Sequence, residues 1–156
     1  MGKEKKNLPT SLSINIAIQQ LKQNNFVSTV NTILKKYKVK PENLEFEFNE
    51  NILINHLDVL HTIQQLTDLG IKIVLDDFGT GKSFFNYLKH ISIKRLKIDR
   101  SFINNIDHSK NDEALIEAII AMSQSFDFKV LAEGVETPNQ ISFLKDQHCE
   151  QAQVIY

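Results

Sequence analysis

Six short strand-like runs recur along this chain, and helical periodicity fills most of the gaps between them. The runs are LSINI (12–16), NLEFEFNE (43–50), IKIVLDD (71–77), IKRLKID (93–99), FKVLAEGVE (128–136) and CEQAQVIY (149–156). NLEFEFNE alternates apolar and acidic residues with period two. IKIVLDD opens as a continuous apolar run, the pattern of a strand buried on both faces. NNFVSTVNTILKKYKV places Phe26, Val30, Ile33, Leu34 and Tyr37 on one helical face, and Lys40-Pro41 ends that helix. ILINHLDVLHTIQQLTDLG (52–70) is helical and stops at Gly70. FFNYLKHI (84–91) reads as a short helix. NDEALIEAIIAMSQSF (111–126) reads as a helix capped by Asn111 or Asp112, and PNQISFLKDQ as one with Pro138 in its first turn. Strands alternating with helices predict an α/β fold with a parallel sheet built from right-handed crossovers.

The strand ends are unusually polar. Asn15, Glu47, the pair Asp76/Asp77, Lys97, Glu133 and Gln153 each sit near the C-terminal tip of one run, 20 to 36 residues apart. That is roughly the ~30-residue length of a βαβ unit. In parallel α/β folds the strand tips open onto one rim, where ligands bind. Four carboxylates and the Asn15 carboxamide, with no His or Cys among them, make a hard oxygen-rich set suited to Mg²⁺, Mn²⁺ or Ca²⁺. Two such ions can clamp the attacking and leaving oxygens of a phosphoryl ester. They would also explain adjacent carboxylates at the end of a buried strand, because cations offset the repulsion between Asp76 and Asp77. Lys97 adds positive charge toward a phosphate. Taken singly each residue has a plainer explanation, since an Asp after a strand commonly caps a helix. Glu50 either ties down the Asp76/Asp77 loop or sits near a helix dipole, and Glu136 has the same two readings.

Composition narrows the rest. The formal net charge is −1 over 156 residues, with 24% charged and 42% hydrophobic residues, which gives no pull toward polymeric nucleic acid. No apolar run nears the ~20 residues of a membrane helix. The start MGKEKKNLPT lacks a secretory h-region, so a cytoplasmic location is expected. Cys149 is the one cysteine, which excludes an internal disulfide, and His148-Cys149 is read as structural.

DDFGTG (76–81), RLKIDRSF (95–102) and LAEGVET (131–137), in this order and spacing, resemble the EAL domain, a bacterial family of phosphodiesterases that open cyclic diguanylate (c-di-GMP) to linear pGpG. LSINI, LEFEFNE and CEQAQ resemble its Asn strand, its Glu-x-Thr-Glu segment and its closing Gln strand. The resemblance implies that Asn15, Glu47, Asp76, Asp77 and Glu133 ligate two Mg²⁺ or Mn²⁺ ions. It further implies that Lys97 helps activate water, that Glu136 and Gln153 support the metal–water network, and that Glu50 anchors the following loop. The family fold is a modified (β/α)₈ barrel with one antiparallel strand. A complete barrel needs ~250 residues, and the Glu-Ala-Leu signature with its metal-ligand Glu would precede the Asn strand. The expectation is therefore an incomplete TIM-type (β/α) barrel of about six of eight strands, mostly parallel. It comprises a disordered charged N-terminus at 1–7 and a partial EAL domain at 8–156. Asn49 stands where Thr is usual, Lys82 where Tyr is, Lys94 where Asp is and Val154 where Gly is. Two functions follow. One is metal-dependent hydrolysis of c-di-GMP, the barrel being completed by a second copy or a partner chain. The alternative, favoured for the isolated chain, is a catalytically inactive fragment that binds a nucleotide or a protein.

Overall fold

The computed structural model describes residues 11–50, 57–79 and 91–155. The expected disordered segment 1–7, most of the expected helix 84–91 and Lys82 lie outside the described residues. The chain runs through strand β1 (Leu12–Asn15), helices α1 (Ile18–Leu21) and α2 (Phe26–Tyr37), β2 (Leu44–Asn49), α3 (Leu60–Asp68), β3 (Lys72–Phe78) and β4 (Arg95–Ile98). It continues through α4 (Arg100–Asn104), α5 (Lys110–Phe126), β5 (Lys129–Val135), α6 (Pro138–Asp146) and β6 (Gln151–Val154).

All five strand pairings are parallel, and the spatial order is the chain order, β1 to β6. Sequential order marks a sheet wound in one direction, the winding of a barrel; doubly wound folds reverse their order partway. The result is a curled half-barrel, and among the described residues β1 and β6 each have one strand neighbour.

Register separates the two faces, because side chains alternate along a strand. One face carries Phe46 and Phe48 on β2, Ile73 and Leu75 on β3, Leu96 and Ile98 on β4, and Val130 and Ala132 on β5, all buried in one core with the helices. Phe26 of α2 packs on Phe46 at a ring distance of 6.3 Å. The other face is polar. Glu45 lies level with Lys72, and Glu47 with Val74 and Arg95, while Lys97 lies level with Leu131. The period-two pattern of LEFEFN is thus a helix-facing row of Phe and an opposite row of Glu.

Several local readings change. In α2, Phe26, Val30 and Leu34 are buried, but Ile33 is 50% and Tyr37 65% exposed, so the apolar face is narrower than its spacing suggests. The cap of α5 is Ser109, whose hydroxyl accepts from the Asp112 N–H, and neither Asn111 nor Asp112 takes that place. The short helices α1 and α4 have no periodicity long enough to read. Asp99, the residue after β4, caps α4 by accepting from the Ser101 N–H.

Candidate functional site

Two irregularities in the parallel ladder shape the rim. Between β3 and β4 the register passes from Leu75 against Leu96 to Phe78 against Ile98, so Asp76 and Asp77 together stand against Lys97. Between β5 and β6 it passes from Ala132 against Ala152 to Val135 against Val154, so Glu133 and Gly134 stand against Gln153. Each is a two-for-one bulge, a device that re-aims side chains and is enriched beside active sites. Strict alternation would send one of two adjacent aspartates into the helix-facing core. The bulge avoids that, with Asp77 in the left-handed region at φ 55°, which Asp tolerates better than most residues. In the second bulge Gly134 takes φ 72°, and a Cβ there would lie 2.7 Å from the Arg100 Cβ.

The Lys97 ammonium gathers three acids from three other strands. Its Nζ lies 2.7 Å from Glu133 Oε1, 3.1 Å from Asp76 Oδ1 and 3.3 Å from Glu47 Oε2. Burial alone would lower its pKa, but hydrogen bonds and charge from Glu133 and Asp76 outweigh that and push it above the ordinary lysine value. Lys97 is therefore a cation at neutral pH, a donor and not a proton acceptor. Glu47 Oε1 also accepts from the Ser13 hydroxyl on β1.

Asp77 does not share this partner set. Its Oδ2 accepts from Asn49 Nδ2 at 2.7 Å, and its backbone N–H donates to Asp76 Oδ1 at 3.1 Å. Burial, then the Asp76 charge, pushes its carboxyl pKa up against the Asn49 hydrogen bond. The paired carboxylates are thus kept apart by separate partners, one on Lys97 and one on Asn49. Glu50 is buried and its Oε2 accepts the Gly79 N–H at 3.0 Å. Asn15 ends β1 level with Glu47 and is exposed. Gln153 on β6 and Glu136 just past β5 are exposed, and the Glu136 N–H donates to Gln140 Oε1. Val154 is 39% exposed on the outermost strand. Cys149, its thiol pKa pushed up by burial, sits against the Val130 and Gln151 carbonyls.

Three carboxylates around one ammonium leave excess negative charge when ionised. With Asp77 and the Asn15 carboxamide nearby in the ladder, the donor set is oxygen only, which fits hard divalent cations. Among the described residues, however, no three such side chains already stand as a ready-made metal cage; Lys97 holds the acids together.

The sequence matches the EAL domain over residues 2–153. The chain belongs to the EAL domain family. It is 38% identical over 143 residues to the cyclic di-GMP phosphodiesterase NbdA of Pseudomonas aeruginosa, covering 91% of this chain and 18% of NbdA. The chain spans about a fifth of the length of the curated relatives it matches, 18% to 21% for the first three. The solved PaMucR phosphodiesterase in complex with c-di-GMP superposes with a TM-score of 0.85 at 35% identity, covering 92% of this chain and 59% of that one. BlrP1 of Klebsiella pneumoniae, solved as a manganese and cyclic-di-GMP complex, has the same fold, with a TM-score of 0.84 at 23% identity over 93% of this chain and 38% of that one. In this EAL domain, among the described residues, no helix is long and apolar enough to cross a membrane.

Sequence reasoning missed the bulges, Asn49 as the Asp77 partner, and Ser13. The signal for the bulges was a broken period: core residues Leu75 and Phe78, and Ala132 and Val135, are three apart where a regular strand spaces them by two.

Proposed function

We propose that this EAL domain presents an acid-and-lysine rim to a cyclic dinucleotide phosphodiester, and that the reaction served is divalent-cation-dependent opening of c-di-GMP to linear pGpG. One observation carries the reading: Lys97 on β4 draws Glu47, Asp76 and Glu133 from β2, β3 and β5 to one point. The likeness to NbdA and to PaMucR supports the substrate class. Asn15, Glu47, Asp76, Asp77 and Glu133 are the residues to hold Mg²⁺ or Mn²⁺. When bound, such ions polarise a phosphodiester and lower the pKa of water. Lys97, as a fixed cation, orients the three acids and adds positive charge toward a phosphate as its negative charge grows. Glu136 and Gln153 support the rim beside β5 and on β6. Glu50 anchors the start of the following loop through the Gly79 N–H. The setting is cytoplasmic, with c-di-GMP as the ligand.

A second reading, without turnover, is favoured for the isolated chain by its outer strands. Asn15 and Gln153 lie exposed on β1 and β6, each lacking a second strand neighbour among the described residues. Here the chain binds nucleotide or protein, and a second copy or a partner chain covers the open edges. One assay separates the two. Purified chain is incubated with c-di-GMP and Mn²⁺ and the product is resolved by chromatography. Formation of pGpG that Lys97→Ala abolishes supports hydrolysis. Absence of pGpG, with Asp76→Asn indistinguishable from wild type, refutes it and leaves the binding role.

A further inference from the structure

Beneath the rim cluster lies a second ion pair that none of the proposed ligands uses. Arg95 Nη1 on β4 reaches Glu45 Oε2 on β2 at 2.6 Å, passing over β3. Glu45 is 4% exposed. The register makes this choice of partner informative. Arg95 is level with Val74, and Val74 with Glu47, so the acid straight across from Arg95 is Glu47. Arg95 passes over it for the diagonal acid one rung lower, and Lys97, one rung higher, takes Glu47. Two bases on β4 thus share two acids on β2 in a staggered pattern. Arg95 also has capacity to spare, because its buried Nε has no hydrogen-bond partner among the described residues. A guanidinium presents five donors in a fixed fork and readily takes a second carboxylate.

We propose that Glu45 is a positioning residue: by occupying Arg95 it keeps that guanidinium off Glu47 and leaves Glu47 to the rim. The consequence for cation binding rests on the rim reading above, while the exchange of partners does not. Glu45 is suited to the task because a buried carboxylate left alone is costly, so it holds Arg95 firmly. Replaced by a neutral side chain, it releases Arg95 to Glu47, the acid level with it across β3. Glu47 then leaves Lys97, which keeps Asp76 and Glu133.

The test uses the purified chain labelled with ¹³C at the glutamate side-chain carboxyls, with Mn²⁺ affinity measured in parallel by calorimetry. Glu45→Gln is expected to shift the Glu47 carboxyl resonance and to weaken Mn²⁺ binding roughly tenfold, the usual scale for losing a group that supports a metal ligand. Glu45→Gln combined with Arg95→Met removes the competing cation and is expected to return both readouts toward wild type. A purely structural role for the pair predicts that stability is lost in the single variant and regained in the double one while the Glu47 resonance stays in place throughout. If Glu45→Gln does not fold, Glu45→Asp, too short to hold Arg95, is expected to shift the same resonance in the same direction. An unmoved Glu47 resonance in the folded variant, or one that the double variant does not restore, overturns the proposal. Wild-type chain that binds no Mn²⁺ while the resonance moves and returns defeats the metal reading and upholds the positioning role.

Discussion

Replacing Lys97 with Met keeps the length of the side chain and removes the charge that Glu47, Asp76 and Glu133 share. Lys97 and Glu47 are each 12% exposed, Asp76 21% and Glu133 23%, so water can only partly take over. Carboxylates roughly 5 Å apart repel by about 3 kcal/mol per pair at an effective dielectric constant near 20. Protonating one of the three relieves two such pairs, about 6 kcal/mol. Protonating a carboxyl of ordinary pKa at pH 7 costs about 4 kcal/mol, some three pH units at 1.36 kcal/mol each. Proton uptake is therefore the cheaper escape, and it limits the cost of those two pairs to about 4 kcal/mol, within the range for breaking a buried pair. The sign of the pH dependence follows. The folded variant binds one proton more than the unfolded chain, so its deficit grows by about 1.4 kcal/mol per unit as pH rises from 4 to 7. Thermal unfolding followed by circular dichroism should show Lys97→Met melting about 8–16 °C below wild type at pH 7. The gap should narrow steadily toward pH 4.5, with exposed Lys94→Met as the control. A gap that stays constant between pH 5 and 7 would refute the shared-charge account of Lys97.

Other expectations can be checked on the same footing. Asp77→Asn should raise Tm at pH 7, because burial and Asp76 raise the folded pKa of Asp77 and its charge then opposes folding; the gain should fade as pH falls through that pKa, and a lower Tm at pH 7 would contradict it. Gly134→Ala should cost about 2 kcal/mol or more, since it adds left-handed strain to a 2.7 Å approach to Arg100; a urea midpoint matching wild type would exclude this. Glu50→Ala should cost about 1–3 kcal/mol and speed amide exchange at Gly79, whose N–H loses its buried acceptor; unchanged protection there would discount the bond. Ser109→Ala should cost about 1 kcal/mol by denaturant titration, while Asn111→Ala should cost little, because Ser109 is the cap; the reverse ranking would overturn that assignment.

The strands were legible because several are apolar or strictly alternating runs with a clear stop, and their order followed from the βα rhythm. The polar residues at their tips were legible for the same reason, as departures from those runs. Which acid meets which base was not. Lys97 contacts residues 50 positions earlier and 36 later, and only three-dimensional register brings them together. Even neighbours misled. Asp76 and Asp77 read as one electrostatic problem with one solution, yet the bulge gives them different partners. Ile33 and Tyr37 fit the helical period of α2, yet the core covers only the narrower stripe of Phe26, Val30 and Leu34.

The two bulges act on the fold like a vernier. Each slides the rim by one residue relative to the helix-packed core, so Phe78 and Val135 return to their buried rows after the polar pair has been fitted in. The chemistry of the rim is thereby geared separately from the packing that supports it. Exchange of one acid for another within Asp76-Asp77 leaves the core rows in step, and deletion of either residue returns Leu75 and Phe78 to the two-residue spacing of a regular strand, so the core row survives while the rim loses an acid. Substitutions and single deletions there should therefore alter the ligand chemistry of the rim while leaving the large side chains of the core in place.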